Sequence, residues 1–150
     1  MNNHIDFNGF IQIALVVRNV EQAAKEWAEL FKVPVPEIQD HSARNNPNVT
    51  YRGKTADYGM KMAVIKAGNW VVELSEPTGG DSTFQEFLDK HGQGVHHLGF
   101  EAGDKRDGLV EELEGKGYQM RQIGFYPGSS WTIVDSEDRL GVNLNIKPKR

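Results

Sequence analysis

Cysteine is absent from the 150 residues. Disulfide staples and thiolate nucleophiles or ligands are thereby excluded, and the composition suits a reducing compartment. Long apolar runs are missing too: no stretch approaches the ~18 apolar residues of a membrane span. The opening MNNHIDFNGF has neither a basic n-region nor a long apolar h-region, so it does not read as a signal peptide. Basic residues are scattered, 17 Lys and Arg against 21 Asp and Glu, for a net charge of −4. Apart from the closing KPKR, nothing resembles the clustered basic face that tracks a phosphate backbone. These absences predict a cytoplasmic protein with neither nucleic-acid nor membrane partners. The length is about one domain's worth, enough to bury a core without staples, so residues 1–150 are expected to form one unit.

What is present is a regular alternation of elements. FIQIALVV (Phe10–Val17) is short, apolar and partly β-branched, as a buried strand is. Asn19 is placed to cap a helix whose inward face would be Val20, Ala23, Ala24, Trp27, Leu30 and Phe31, at three-four spacing. Pro34 and Pro36 stop it, and Glu37 to Asn48 reads as a loop. VTYRG and GMKMAVIKA are expected strands; Gly68-Asn69 is a tight-turn signal joining the latter to WVVELSEP. PTGGD is a loop. Ser82 caps a short helix carrying Phe84, Phe87 and Leu88, with Gln85 at the capping-box position. GVHHLGFEA (Gly94–Ala102) is the next strand. Asp104 is expected to cap a second long helix, with Leu109, Val110 and Leu113 inward and Gly117 at its end. Three further strands, YQMRQIGFY, SSWTIVDS and LGVNLNIK, are divided by Pro127-Gly128 and by Ser136 to Asp138.

The order is β-α-β-β-β, a short helical linker, then β-α-β-β-β: an internal duplication of α+β modules, about residues 8–77 and 93–148. Setting FIQIALVV over GVHHLGFEA places Gln12 opposite His97; setting WVVELSEP over LGVNLNIK places Glu73 opposite Asn145. If the halves pair about a pseudo-twofold axis, the two modules form a curved mixed sheet around a central cleft, and Gln12, Glu73, His97 and Asn145 face it. Each is polar within an apolar strand, where an unpartnered group costs roughly 1–3 kcal/mol. Strand alternation then turns His97 inward and His96 away. Trp27 and the helical phenylalanines are expected in the core, and Trp70 and Trp131 pack or line a pocket. His4, His41 and His91 carry no motif and count as solvated, as does the acidic face Glu111 to Glu114.

The doubled βαβββ pattern resembles the vicinal-oxygen-chelate superfamily, which holds glyoxalase I, extradiol dioxygenases, bleomycin-resistance proteins and methylmalonyl-CoA epimerase. The stretch VVELSEPTGGDSTFQEFLDKHGQGVHHLGFEA is most similar to the epimerase branch: an acidic strand ending in Glu-Pro, a Gly-Asp-Ser turn, a short helix, then Gly-x-His-His. The resemblance implies a divalent cation held from the first, fourth, fifth and eighth strands, at Gln12, Glu73, His97 and Asn145. Where the family has histidine on the first strand this chain has Gln12, and where it has glutamate on the last it has Asn145. A cation here (cobalt, nickel, zinc, manganese or magnesium) is therefore expected to be weakly held or absent. The branch also carries a carboxylate before the third-strand glycine, matching Asp57 ahead of Gly59. Asp57 and Glu73 are the catalytic candidates.

Two functions follow as expectations. One is a metal-assisted lyase or isomerase, epimerase-like, that forms an enolate from a small carbonyl compound or acyl thioester. The other is a metal-free small-molecule-binding protein of the bleomycin-resistance type, favoured by the two amides. A small molecule is the expected partner either way, and the resemblance implies a homodimer.

Overall fold

The computed structural model describes residues 4–149. β1 (Phe10–Val16) leads into α1 (Val20–Phe31), whose N-terminus is capped by Asn19 accepting from the Gln22 amide. The buried stripe of α1 is Val20, Ala24 and Ala28. Leu30 and Phe31, expected on that stripe, are 78% and 64% exposed. The last turn of α1 has passed the packed region, and Phe31 instead stacks on Trp27 at 5.2 Å between ring centroids. After α1 come β2 (Gln39–Asp40), β3 (Val49–Tyr51), β4 (Lys54–Thr55), β5 (Tyr58–Ala67) and β6 (Trp70–Gly80). The linker helix α2 (Thr83–His91) is capped by Ser82, whose side chain accepts from the Gln85 amide. Gln85 does not complete a capping box; its Oε1 accepts from the Gly79 backbone instead, tying the helix to the end of β6. The second half comprises β7 (Gly94–Glu101), α3 (Arg106–Gly115), β8 (Gln119–Tyr126), β9 (Ser129–Asp135), the single turn α4 (Glu137–Leu140) and β10 (Asn143–Lys147). Asp104 does not cap α3: it sits in a 3-10 turn, Gly103–Lys105, that runs straight into the helix.

The ten strands of the described residues join one mixed sheet in the order β2-β5-β6-β1-β7-β10-β9-β8-β3-β4. β1 runs parallel to β6, β7 parallel to β10, and the central pair β1/β7 antiparallel. VTYRG departs from the expected modular arrangement. β3 leaves its own half and pairs antiparallel with β8, Val49 opposite Gly124. The outer strand of the first half is instead the two-residue β2, cut from the segment expected to be a loop. A proline-broken polar stretch satisfies only two residues of ladder before the chain crosses over.

The registers carry the duplication. Ala14 lies opposite Glu73 in β1/β6, and Gly99 opposite Asn145 in β7/β10. In β1/β7, Gln12 faces Gly99 and Ala14 faces His97, so exchanging the halves maps each pair onto the other. The register slips twice in this central pair, once at Ile11 and once at His96. Each extra residue precedes a site residue, and such a bulge bends the strand and re-aims its side chains.

Candidate functional site

The inner face of the curled sheet holds a cavity of about 320 Å³. Gln12, His97 and Asn145, buried from solvent, form its floor together with Glu73, which remains partly accessible. Tyr58, Met60, Phe84 and Trp131 wall it, and His41, Asn46, Tyr126 and Lys147 are more exposed lining residues at its rim. Small residues opposite the site make the floor. A Cβ at Gly99 would lie 2.8 Å from the Cβ of Gln12 and 2.7 Å from its Oε1, so only glycine lets that side chain lie across β7. Gly124 does the same for the wall: a Cβ there would stand 2.3 Å from the Trp131 indole.

Four floor groups bond one another. Gln12 Nε2 donates to Glu73 Oε2 at 2.7 Å. Gln12 Oε1 takes two contacts, from His97 Nε2 at 2.8 Å and from Asn145 Nδ2 at 3.2 Å. Asn145 Oδ1 accepts from the Thr132 backbone amide at 3.0 Å. That amide is a donor and nothing else, so it settles the polarity of the rest. Asn145 must present its NH2 to Gln12, so Gln12 turns its oxygen to Asn145 and His97 and its NH2 to Glu73. His97 then carries its proton on Nε2 and accepts on Nδ1 from His96 Nδ1–H, 2.8 Å away. His96 accepts on Nε2 from the Thr83 hydroxyl at 3.1 Å. Every bond from Thr83 through His96, His97 and Gln12 points toward Glu73.

His96 therefore does not point away from the site. Both histidines are fully buried, at 0% and 1% exposure. The bulge at His96 breaks the strand alternation, so adjacent rings meet edge to face, 5.0 Å between centroids. Phe84 stacks on His96 at 4.5 Å and 22°. Burial pushes His96 down to about 3, and burial together with His96 and Lys147 holds His97 well below its ordinary value, so both imidazoles are neutral at physiological pH. Burial lifts the Glu73 carboxyl to about 7, Lys147 opposing. The Tyr58 phenol is raised to about 12 by burial and stays protonated.

The side chains as arranged do not fit a divalent ion. The lone pairs of Gln12 Oε1 face two N–H groups, Asn145 Oδ1 is taken by a backbone amide, and His97 Nε2 bears a proton. A cation at their centre would meet hydrogens on three sides. No group of three or more His, Asp or Glu poised to hold a metal occurs among the described residues.

Of the sequence-derived candidates, Gln12, Glu73, His97 and Asn145 come together and Asp57 does not. Asp57 is exposed in the turn before β5, where its backbone oxygen accepts from Asp81, and it does not line the cavity. His41, expected in solvent, is a rim residue; burial lowers its pKa against the pull of Asp40. Trp131 lines the cavity, whereas Trp70 packs on Phe10 at 6.0 Å. Sequence reasoning missed His41, Tyr126 and Lys147. Lys147 carried a usable signal, since it follows Asn145 at the strand period of two.

The chain matches the family model for the glyoxalase/bleomycin resistance protein/dioxygenase superfamily over residues 11–134, and it belongs to that superfamily. Among solved structures it is similar to methylmalonyl-CoA epimerase from Mycobacterium tuberculosis, with a TM-score of 0.63, 15% identity, and coverage of 95% of this chain and 88% of that one. A Streptomyces coelicolor methylmalonyl-CoA epimerase in complex with 2-nitronate-propionyl-CoA aligns at 0.59 and 20% identity, over 92% of this chain and 94% of that one. At such identities the likeness is one of fold. The uncharacterized protein YqjC of Bacillus subtilis is 30% identical over 76 residues, 44% of this chain and 54% of that protein. The matched stretch thus spans about half of that curated relative. No helix among the described residues is long and apolar enough to cross a membrane.

Proposed function

We propose that this chain binds a small organic molecule in the cleft between its halves, through a site that works without a metal ion. The observation that supports this reading is the saturation of Gln12 Oε1 by His97 and Asn145. Where the resemblance implies two strong metal donors, this chain has two amides that spend their oxygens on each other and on the backbone. The cavity sets aromatic and methionine walls against a converging polar floor and rim, a make-up that suits a small organic ligand with polar groups, and its volume lies at the small end of the usual range. The test is a thermal-shift and calorimetric screen of neutral and anionic aromatic and acyl compounds, with and without chelator. Binding that chelator leaves unchanged is the expected result. Binding that chelator abolishes and cobalt or nickel restores would overturn the reading.

A second reading, a metal-free isomerase or lyase, is favoured by one feature. Glu73 Oε2 accepts from Gln12 while Oε1 has no hydrogen-bond partner among the described residues, and its carboxyl titrates near neutrality. Such a group suits removing or returning a proton next to a carbonyl. Incorporation of solvent deuterium into a bound acyl thioester such as methylmalonyl-CoA, lost in Glu73→Gln, is its test. A homodimer, which the superfamily resemblance implies, would have a sheet edge open to it as well as the faces, because β2 pairs only with Lys61 and Met62 and leaves residues 63–67 of β5 with no strand on that side among the described residues. Light scattering after size exclusion decides that point.

A further inference from the structure

We infer that the cleft selects an anion: its ligand is a planar carboxylate whose charged end meets the Lys147 ammonium and whose ring lies against Tyr126 and Trp131. This rests on the binding reading above and adds the chemistry of the ligand. Lys147 closes β10 two residues beyond Asn145, so both side chains belong to the cavity face. Among the described residues it is the one lysine or arginine on the cavity lining.

Of the ten lysines in the sequence three have an ion pair among the described residues and Lys147 is not one of them; what sets it apart is its place on the cavity lining. Lys61, Lys90 and Lys116 each reach a carboxylate within 3.7 Å. Lys147 has no such ion pair among the described residues, and its ammonium instead lies 5.3 Å from the Tyr126 ring centroid. Glu73, the only carboxylate on the lining, is close enough to feel the Lys147 charge but spends its hydrogen bond on Gln12. A cation and a carboxylate therefore line one cavity without an ion pair between them, and Tyr126 and Trp131 line it with them.

That arrangement reads a ligand from both ends. A half-buried ammonium loses hydration when the cleft fills, and a neutral ligand returns at most a hydrogen bond to an uncharged acceptor. A carboxylate replaces the lost water with a charge-assisted hydrogen bond. A cationic ligand would be repelled by Lys147. The far end of the ligand would meet Glu73 Oε1, which accepts from an N–H or O–H. The flat faces of Tyr126 and Trp131 suit a planar ring.

The test uses matched acids and amides on the full chain: indole-3-acetate against indole-3-acetamide, and 2-naphthoate against 2-naphthamide, by calorimetry. The acids are expected to bind up to about fivefold more tightly than the amides, as one charge contact at a partly exposed site provides. Lys147→Met keeps the apolar stem and removes the charge. In that variant the acid preference should vanish, acid affinity should fall to that of the amide, and melting should stay near that of the native chain. The acid advantage should also shrink as salt rises. Equal affinity for acid and amide, or a preference that survives Lys147→Met, overturns the anion site and leaves the cleft reading standing. If neither these pairs nor the neutral library binds, both fall together.

Discussion

Gln12 Oε1 and Asn145 Nδ2 stand 3.2 Å apart across 133 residues of sequence. One lies on the first strand and the other on the last, and a duplicated fold brings them to a common axis. Their contact gives the floor its character: it takes up the Gln12 oxygen that a metal would need, while the Thr132 amide takes up that of Asn145. Restoring the donors should reverse this. Gln12→His combined with Asn145→Glu would place two imidazoles and two carboxylates on the same four strand positions. That double variant is expected to bind cobalt with visible absorption, whereas the native chain stays colourless. Stoichiometric cobalt uptake by the native chain would contradict the account.

The Gln12 side chain depends on Gly99. Gly99→Ala drives a methyl into the Cβ of Gln12, where the neighbouring atom is not the loose end of a side chain. Overpacking of this kind costs about 1–3 kcal/mol. Urea unfolding should show that loss, and any ligand found for the cleft should bind more weakly. Native stability and native affinity in the variant would mean that Gln12 has room to move.

Much of this floor was legible beforehand and much of its surroundings was not. Gln12, Glu73, His97 and Asn145 could be paired because each is a polar interruption of an apolar strand and the two halves align in order. The pairing of Val49 with Gly124 could not be read, since strand partners are chosen by tertiary contact and a short segment like VTYRG fits either half. Nor could the bulge at His96: strict alternation predicts opposite faces for neighbours, and one extra residue in the ladder cancels that rule. Asp57 read well from local resemblance, yet the turn that holds it faces solvent. Leu30 and Phe31 fit the helical spacing, but a periodic pattern does not say where the supporting sheet ends.

Beneath α2 a second polar cluster should matter to stability rather than to binding. Arg121 is 7% exposed and pairs with Asp135, with Glu86 at 3.3 Å and with Glu137 at 3.7 Å. One guanidinium thus joins α2, β9 and α4 to β8. Arg121→Met leaves Asp135 without an ion pair among the described residues, while Glu86 keeps Arg52 and Glu137 keeps Lys90; removing one member of a buried pair costs about 3–5 kcal/mol. Chemical denaturation should show a loss of about 3 kcal/mol, given the partial exposure of the carboxylates. A loss under about 0.5 kcal/mol, the range of ordinary surface changes, would show that the cluster is fully solvated.

Acid should destabilise the chain earlier than carboxylates alone would. His96 and His97 have folded pKa values below their ordinary 6.5, His96 at about 3. Below about pH 6.5 the unfolded chain takes up protons that the folded chain refuses, so stability falls as pH falls, by about 1.4 kcal/mol per unit for each histidine. Glu73 acts the other way. Its folded value of about 7 lies above its ordinary 4.5, so its contribution is present at low pH and lost as pH rises through 7. Two histidines against one glutamate leave a net loss of about 1.4 kcal/mol per unit between about pH 6.5 and 4.5. Unfolding free energies at half-unit intervals measure it, and a flat profile there would contradict neutral burial of both rings.

The most direct measurement is the protonation of the two imidazoles by nitrogen-15 NMR, with and without added zinc. His97 should carry its proton on Nε2 and His96 on Nδ1, and both patterns should persist when zinc is present. An unprotonated His97 Nε2 that shifts on zinc addition would place a metal at the floor and overturn the claim that these side chains are already satisfied by one another.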